Sequence, residues 1–403
     1  MLVNNKKKEK ILDLFIQHYL KNNDTNHILG MIVCGSFKND DNNDFSDVDI
    51  QIIMDESFNS NSNINKNGGY IVRGVELIDK YRFEYFVRNI QGYYYEAVEA
   101  YKQQKNALLT IIGQGQIFFY KDEQCLSKIK DLQKYILELY SNPFPSLDDK
   151  MLSYQLFSIY NDINSLLETY KTNKNEFDMH YFLILEKIRK LYSSAIGCCY
   201  LPPAKVWRIY HDKEYANRFC GSEIPDAEFI TEFTNCITSK ENDMTKIEHL
   251  KLLSNLCRKK LNIESLNTVD CLQFEDEDTI QQLDKDEILE LIVILENRRL
   301  KLNEKYINNT KDFEYFYFIV LNMINSFSLK IKSSIDLIDQ KYESLYYLAK
   351  TTDAKEEKCT VINTLLDYIK EKCEKLYTEE INPMHYKVLV KPTTWCNNKQ
   401  TRF

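Results

Sequence analysis

Two aspartates one residue apart, Asp47 and Asp49, open the apolar run Val48 to Met54. Side chains alternate along a strand, so a strand here turns both carboxylates to one side while Val48 and Ile50 enter the core. Carboxylates a few ångströms apart on one face are the hard oxygen donors that Mg²⁺ takes together with substrate phosphates. Upstream, the apolar run Ile28 to Cys34 delivers the chain to Gly35-Ser36. That dipeptide reads as a turn poor in side chains, where backbone N–H groups and a hydroxyl can approach a triphosphate. The pairing of a phosphate-accepting turn with a carboxylate pair points to metal-assisted phosphoryl chemistry.

The elements that must position these residues are legible around them. Ile11, Leu12, Phe15, Ile16, Tyr19 and Leu20 form one apolar stripe at helical spacing, which predicts a helix over 5–22 that begins near Lys6-Lys7-Lys8. Strands are expected at 28–34 and 47–54, and a polar loop at 57–69. Tyr70 to Ile78 and Tyr81 to Val87 read as two further strands, joined as a hairpin through Asp79-Lys80. Each holds an acid between apolar neighbours, Val75-Glu76-Leu77 and Phe83-Glu84-Tyr85. A helix over 91–109, an edge strand ending at Tyr120 and an N-capping Asp122 complete this region. Beyond it, apolar patterns predict helices at about 124–140, 148–172, 177–199, 204–217, 226–239 and 243–261. In this stretch Lys205 and Arg208 follow Pro202-Pro203 on one helix face, where they could reach a triphosphate or an acceptor. A polar acidic link at 262–277 then leads to long helices at about 276–308, 311–350 and 354–378 and a strand at Tyr386 to Val390.

Gly35-Ser36, ten intervening residues and then Ser46-Asp47-Val48-Asp49 before an apolar run closely resemble the signature of the polymerase-beta-like nucleotidyltransferase superfamily. In appearance the chain is nearest to bacterial antibiotic and orphan nucleotidyltransferases. The resemblance covers roughly residues 10–125, and more loosely the helices to about 260. It implies an α+β protein, a small mixed sheet with flanking helices followed by helical bundle domains. It also implies a nucleoside triphosphate such as ATP as substrate, and two Mg²⁺ ions, with Mn²⁺ as the alternative. A third carboxylate is expected on a later strand, and Glu84 is preferred for its aromatic neighbours and its distance from Asp49, with Glu76 as competitor. Many relatives carry a small residue, an Arg and a Gly soon after Gly-Ser. Here Phe37-Lys38-Asn39-Asp40 follows, which makes Lys38 the candidate for the missing positive charge.

Composition narrows the rest. A chain of 403 residues with 44% hydrophobic and 28% charged residues is folded, and long enough for two or three domains. The expected division is 1–122 as the catalytic domain, 123–262 as a helical domain closing the nucleotide cleft, and 263–403 as a helical accessory domain. Only 10 Gly and 7 Pro fit long helices with few turns. A net charge of −8 argues against an extensive nucleic-acid surface, which needs clustered Lys and Arg. Eleven scattered cysteines without paired spacing read as reduced thiols, and no apolar leader or membrane-length run is seen, so a cytoplasmic protein is expected. The reaction expected is transfer of a nucleoside monophosphate to a hydroxyl of a small molecule or a protein, with release of pyrophosphate. Two other readings are a nucleotide oligomerase that makes a signal, and a toxin–antitoxin-type interaction protein. Residues 276–378 are the expected surface for self-association or a protein partner.

Overall fold

The structure, a computed structural model, describes residues 2–38, 47–58, 71–105, 108–142, 144–145, 149–172, 176–196, 202–220, 225–238, 243–262, 285–331, 339–377 and 386–390. It separates into two compact units, one comprising Met1–Pro143 with Glu380–Thr401 and the other Phe144–Glu379 with Arg402–Phe403. The first is a mixed sheet with helices on both faces, and the second is helical, so the chain is α+β as its sequence implies.

The first unit contains helices α1 (Leu2–Asn22), α2 (Gly35–Lys38), α3 (Ile90–Lys102) and α4 (Glu123–Leu139). Its strands are β1 (Ile28–Cys34), β2 (Val48–Met54), β3 (Ile71–Ile78), β4 (Tyr81–Asn89), β5 (Gln116–Tyr120) and, from the far end of the chain, β6 (Tyr386–Val390). Their order is β5-β1-β2-β4-β3-β6, with β2 and β4 parallel and every other neighbouring pair antiparallel. Asp79, with φ of 55°, makes the tight turn between β3 and β4.

Alternation assigns the two faces of the sheet. Val48, Ile50, Ile52, Phe83, Tyr85 and Val87 form one face, and the α1 stripe of Ile11, Leu12, Phe15 and Tyr19 covers it. Phe15 packs on Phe83 and Tyr85 at ring distances of 5.1 and 5.6 Å. The opposite face carries Asp49, Gln51 and Ile53. α3 and α4 cover its Ile53 end through Tyr93, Ala97, Ile129, Leu132 and Ile136. α3 starts where the Asn89 side chain accepts from Gly92 N at 2.7 Å, and α4 where Asp122 accepts from Cys125 N at 2.8 Å, each satisfying an orphan helix donor. The helix expected over 91–109 stops at Lys102, and a π-helical turn at Leu109–Gly113 follows.

The second unit holds α5 (Asp149–Thr172), α6 (Phe177–Ala195), α7 (Pro203–His211), α8 (Lys213–Cys220), α9 (Ala227–Thr238) and α10 (Asp243–Lys260). It also holds α11 (Lys285–Ile307), α12 (Phe313–Ile331), α13 (Gln340–Thr351) and α14 (Lys355–Tyr377). The expected helix over 204–217 is divided at Asp212, whose carboxylate accepts from Tyr215 N at 2.9 Å and caps α8. Asp339 caps α13 in the same way, accepting from Tyr342 N at 3.0 Å.

These units differ from the expected three-part division. α4 belongs with the sheet, because Ile129, Leu132 and Ile136 are buried beside Ile32 and Ile53, so the sheet's own unit continues past 122. Nor do the helices after 262 form a body of their own. Phe182 on α6 stacks with Phe318 on α12 at 5.6 Å, and the Tyr315 hydroxyl donates to buried Glu186. The acidic link lies outside the described residues from 263 onward.

Candidate active site

The site forms where β1 and β2 meet at one end of the sheet. Cys34, the last residue of β1, pairs in register with Asp49, and its thiol lies 3.6 Å from the Asp49 carbonyl. The chain must then turn away at once, and Gly35 does so with φ of 68°. A β-carbon at this position would sit 2.2 Å from Asp49 Oδ2, so the backbone comes as near the carboxylate as only glycine allows. Gly35-Ser36 is thus not an open turn but the start of α2, a single helical turn.

β2 and β4 run parallel with Asp49 opposite Glu84 and Val48 opposite Phe83. The odd residues of β2 and the even residues of β4 therefore share a face. Asp47, Asp49 and Glu84 each place a carboxylate oxygen within 4.8 Å of the others, with the aspartates half-buried and Glu84 buried. Three hard oxygen donors converging from two strands fit a divalent cation such as Mg²⁺ or Mn²⁺. Glu76 is directed to the other face. It pairs in register with Phe83, accepts from the Tyr85 hydroxyl at 3.1 Å and meets His18 Nε2 at 2.6 Å. Its alternation parity removes it from the carboxylate group.

Two buried guanidinium groups offset the crowded negative charge. Arg82 Nη1 donates to Asp47 Oδ2 at 2.8 Å and lies 3.9 Å from Glu84 Oε2. Arg73, on β3, donates to Glu84 Oε1 through Nε at 2.8 Å and through Nη2. Its guanidinium also lies over the Phe86 ring at 5.3 Å. Burial opposes the charge on Glu84, but the guanidinium groups of Arg73 and Arg82 hold its carboxyl below the usual range. Glu84 is consequently ionised at neutral pH. Neither arginine stands out in the sequence. Arg82 could have been found by alternation, two residues before Glu84. Arg73 could have been found from the hairpin register, in which Val75 faces Glu84 and Arg73 faces Phe86.

The remaining candidates have separate surroundings. Ser36 is half-buried in α2. Lys38 closes α2 and donates through Nζ to the Gln114 carbonyl, while its own carbonyl accepts from Lys8 Nζ at 3.0 Å. Burial lowers the Lys38 pKa from the ordinary lysine value. Lys205 and Arg208 lie on α7 in the second unit. There Arg208 Nε is 3.6 Å from Asp212 Oδ2, and its guanidinium stacks over Tyr215 at 3.9 Å.

The mixed sheet thus gathers three carboxylates beside a glycine turn. Residues 16–137 match the family model for the nucleotidyltransferase domain, and this part of the chain is a nucleotidyltransferase domain of the polymerase-beta-like superfamily. Among solved structures, a nucleotidyltransferase-like protein from Exiguobacterium sibiricum 255-15 is similar at 13% identity and a TM-score of 0.33, over 62% of this chain and 75% of that one. No curated protein matches the chain. Among the described residues, no helix is long and apolar enough to cross a membrane.

Proposed function

We propose that the protein transfers a nucleoside monophosphate from a nucleoside triphosphate to a hydroxyl of a small molecule or a protein and releases pyrophosphate. The observation that carries this reading is the convergence of Asp47, Asp49 and Glu84 within a nucleotidyltransferase domain. Asp47 and Asp49 would hold one divalent cation, and both with Glu84 a second. Bound there, the ions neutralise phosphate charge and lower the pKa of the acceptor hydroxyl. Gly35 and Ser36 hold the β- and γ-phosphates, the glycine by letting backbone approach and the serine by its hydroxyl. Lys38 adds positive charge at the end of the same helical turn. The acceptor hydroxyl gives up its proton to solvent, its oxygen attacks the α-phosphorus in line, the bond to the bridging oxygen of the β-phosphate breaks, and pyrophosphate leaves with that oxygen. Positioning of the two reactants supplies a large share of the rate.

The test is incubation of the full chain with α-labelled nucleoside triphosphates and Mg²⁺, with and without small-molecule and protein extracts. Label moved onto an extract component, with equal release of pyrophosphate and loss of both in Asp49→Asn, supports the reading. A product made of nucleotide alone would favour the oligomerase, and release indifferent to Asp49→Asn would sink the assignment of the site.

A further inference from the structure

We propose that Arg73 is the positioning residue of the third carboxylate, fixing Glu84 so that one oxygen is held by the protein and the other is presented to the cation. This rests on the reading of Glu84 as a cation ligand. Arg73 Nε and Nη2 both donate to Oε1, whereas Oε2 lies toward Arg82 and, through it, Asp47. A glutamate side chain has three rotatable bonds, and a lone carboxylate on a strand samples many orientations. The planar guanidinium fork removes that freedom because two donors in fixed geometry converge on one acceptor.

Arg73 is itself held in place. Its side chain is 6% exposed, its guanidinium lies over Phe86, and its backbone is paired on both sides, to Phe86 on β4 and to Val388 on β6. It is a central-strand residue on the same face as the three carboxylates, one diagonal step from Glu84 across the antiparallel pair. Arg82 has a different task, because it bonds Asp47 directly and only approaches Glu84. Groups that orient a metal ligand from behind typically matter by 10- to 100-fold in metal affinity.

The test is Mn²⁺ binding to the full chain, followed by the electron paramagnetic resonance signal of free Mn²⁺, together with thermal melting. Arg73→Met is expected to weaken Mn²⁺ binding by about 10- to 100-fold. Arg73→Lys, which keeps the charge but not the fork, should fall between it and the wild type. In a Glu84→Gln background, Arg73→Met should add no further loss, because Arg73 acts through Glu84. A merely structural role would lower the melting temperature, leave the affinity of the folded protein unchanged and add to Glu84→Gln. Should Arg73→Met not fold, Arg73→Lys decides, and wild-type Mn²⁺ affinity in it overturns the proposal. Mn²⁺ binding lost in Asp49→Asn but intact in Arg73→Lys overturns the Arg73 role alone, whereas no Mn²⁺ binding by the wild-type chain overturns the cation site and this proposal together.

Discussion

Gly35 stands where the backbone passes within a β-carbon's reach of the Asp49 carboxylate, and substitution there separates two effects. Gly35→Ala places a β-carbon on a left-handed backbone, which costs about 1–2 kcal/mol, and the same atom must push Asp49 aside. Both a lower melting temperature and a loss of transfer are therefore expected, measured on one preparation. Asp49→Asn should abolish transfer with little change in melting. Asp47→Ala should differ from it, because it strips the partner at 2.8 Å from a buried Arg82. We expect about 1–3 kcal/mol lost in urea unfolding as well as the loss of transfer. Glu76→Gln should leave the rate near wild type, since its partners His18 and Tyr85 lie on the other face. The aspartate pair was legible because a two-residue repeat reads directly as one strand face. The choice between Glu76 and Glu84 was not. It depends on the parallel register of β2 on β4, a long-range pairing that local pattern does not encode.

At the scale of elements, the strands were legible because apolar runs bounded by polar loops leave few alternatives, and β6 was found at its full extent, Tyr386–Val390. The long helical patterns misled at Asp212 and Asp339. Each is a capping residue inside an apolar repeat that continues on its far side, so periodicity alone ran through the break. Within α6, Glu186 and Arg189 form a buried pair joined by Tyr315 of α12. Burial opposes the Glu186 charge, yet Arg189 and Lys190 hold its carboxyl below the ordinary value. A carboxyl depressed on folding contributes stability that is fully present above its unfolded pKa and is lost as pH falls through the folded value. The second unit should therefore weaken in acid, below about pH 4.3. Glu186→Gln should flatten that dependence and cost about 3–5 kcal/mol at neutral pH by leaving the Arg189 charge uncompensated. Urea unfolding of both proteins across pH checks it, and an unchanged acid slope in the variant would count against the pair.

At the scale of the whole molecule, the two units set where the chain can be cut. A fragment of residues 1–262 keeps α6 but loses α12, and with it the Phe182–Phe318 stack and the Tyr315 bond to Glu186. We expect that fragment to aggregate and a fragment of 144–379 to fold alone, each judged by solubility and cooperative melting. The expected boundary at 262 followed polar composition, which marks a linker in sequence but not which helices share a core. The first unit poses a different problem, since the edge strand of its sheet beside β3 comes from after residues Phe144–Glu379 of the second unit. On the ribosome, β3 emerges with nothing to pair on its outer side, and more than three hundred residues separate it from β6. At ordinary synthesis rates that interval lasts about 15–60 s. Through that time the strand bearing Arg73 is an open sheet edge, a template for pairing with neighbouring nascent chains. Until β6 is made, the first unit carries Asp47, Asp49 and Glu84 but not the strand that pairs with β3.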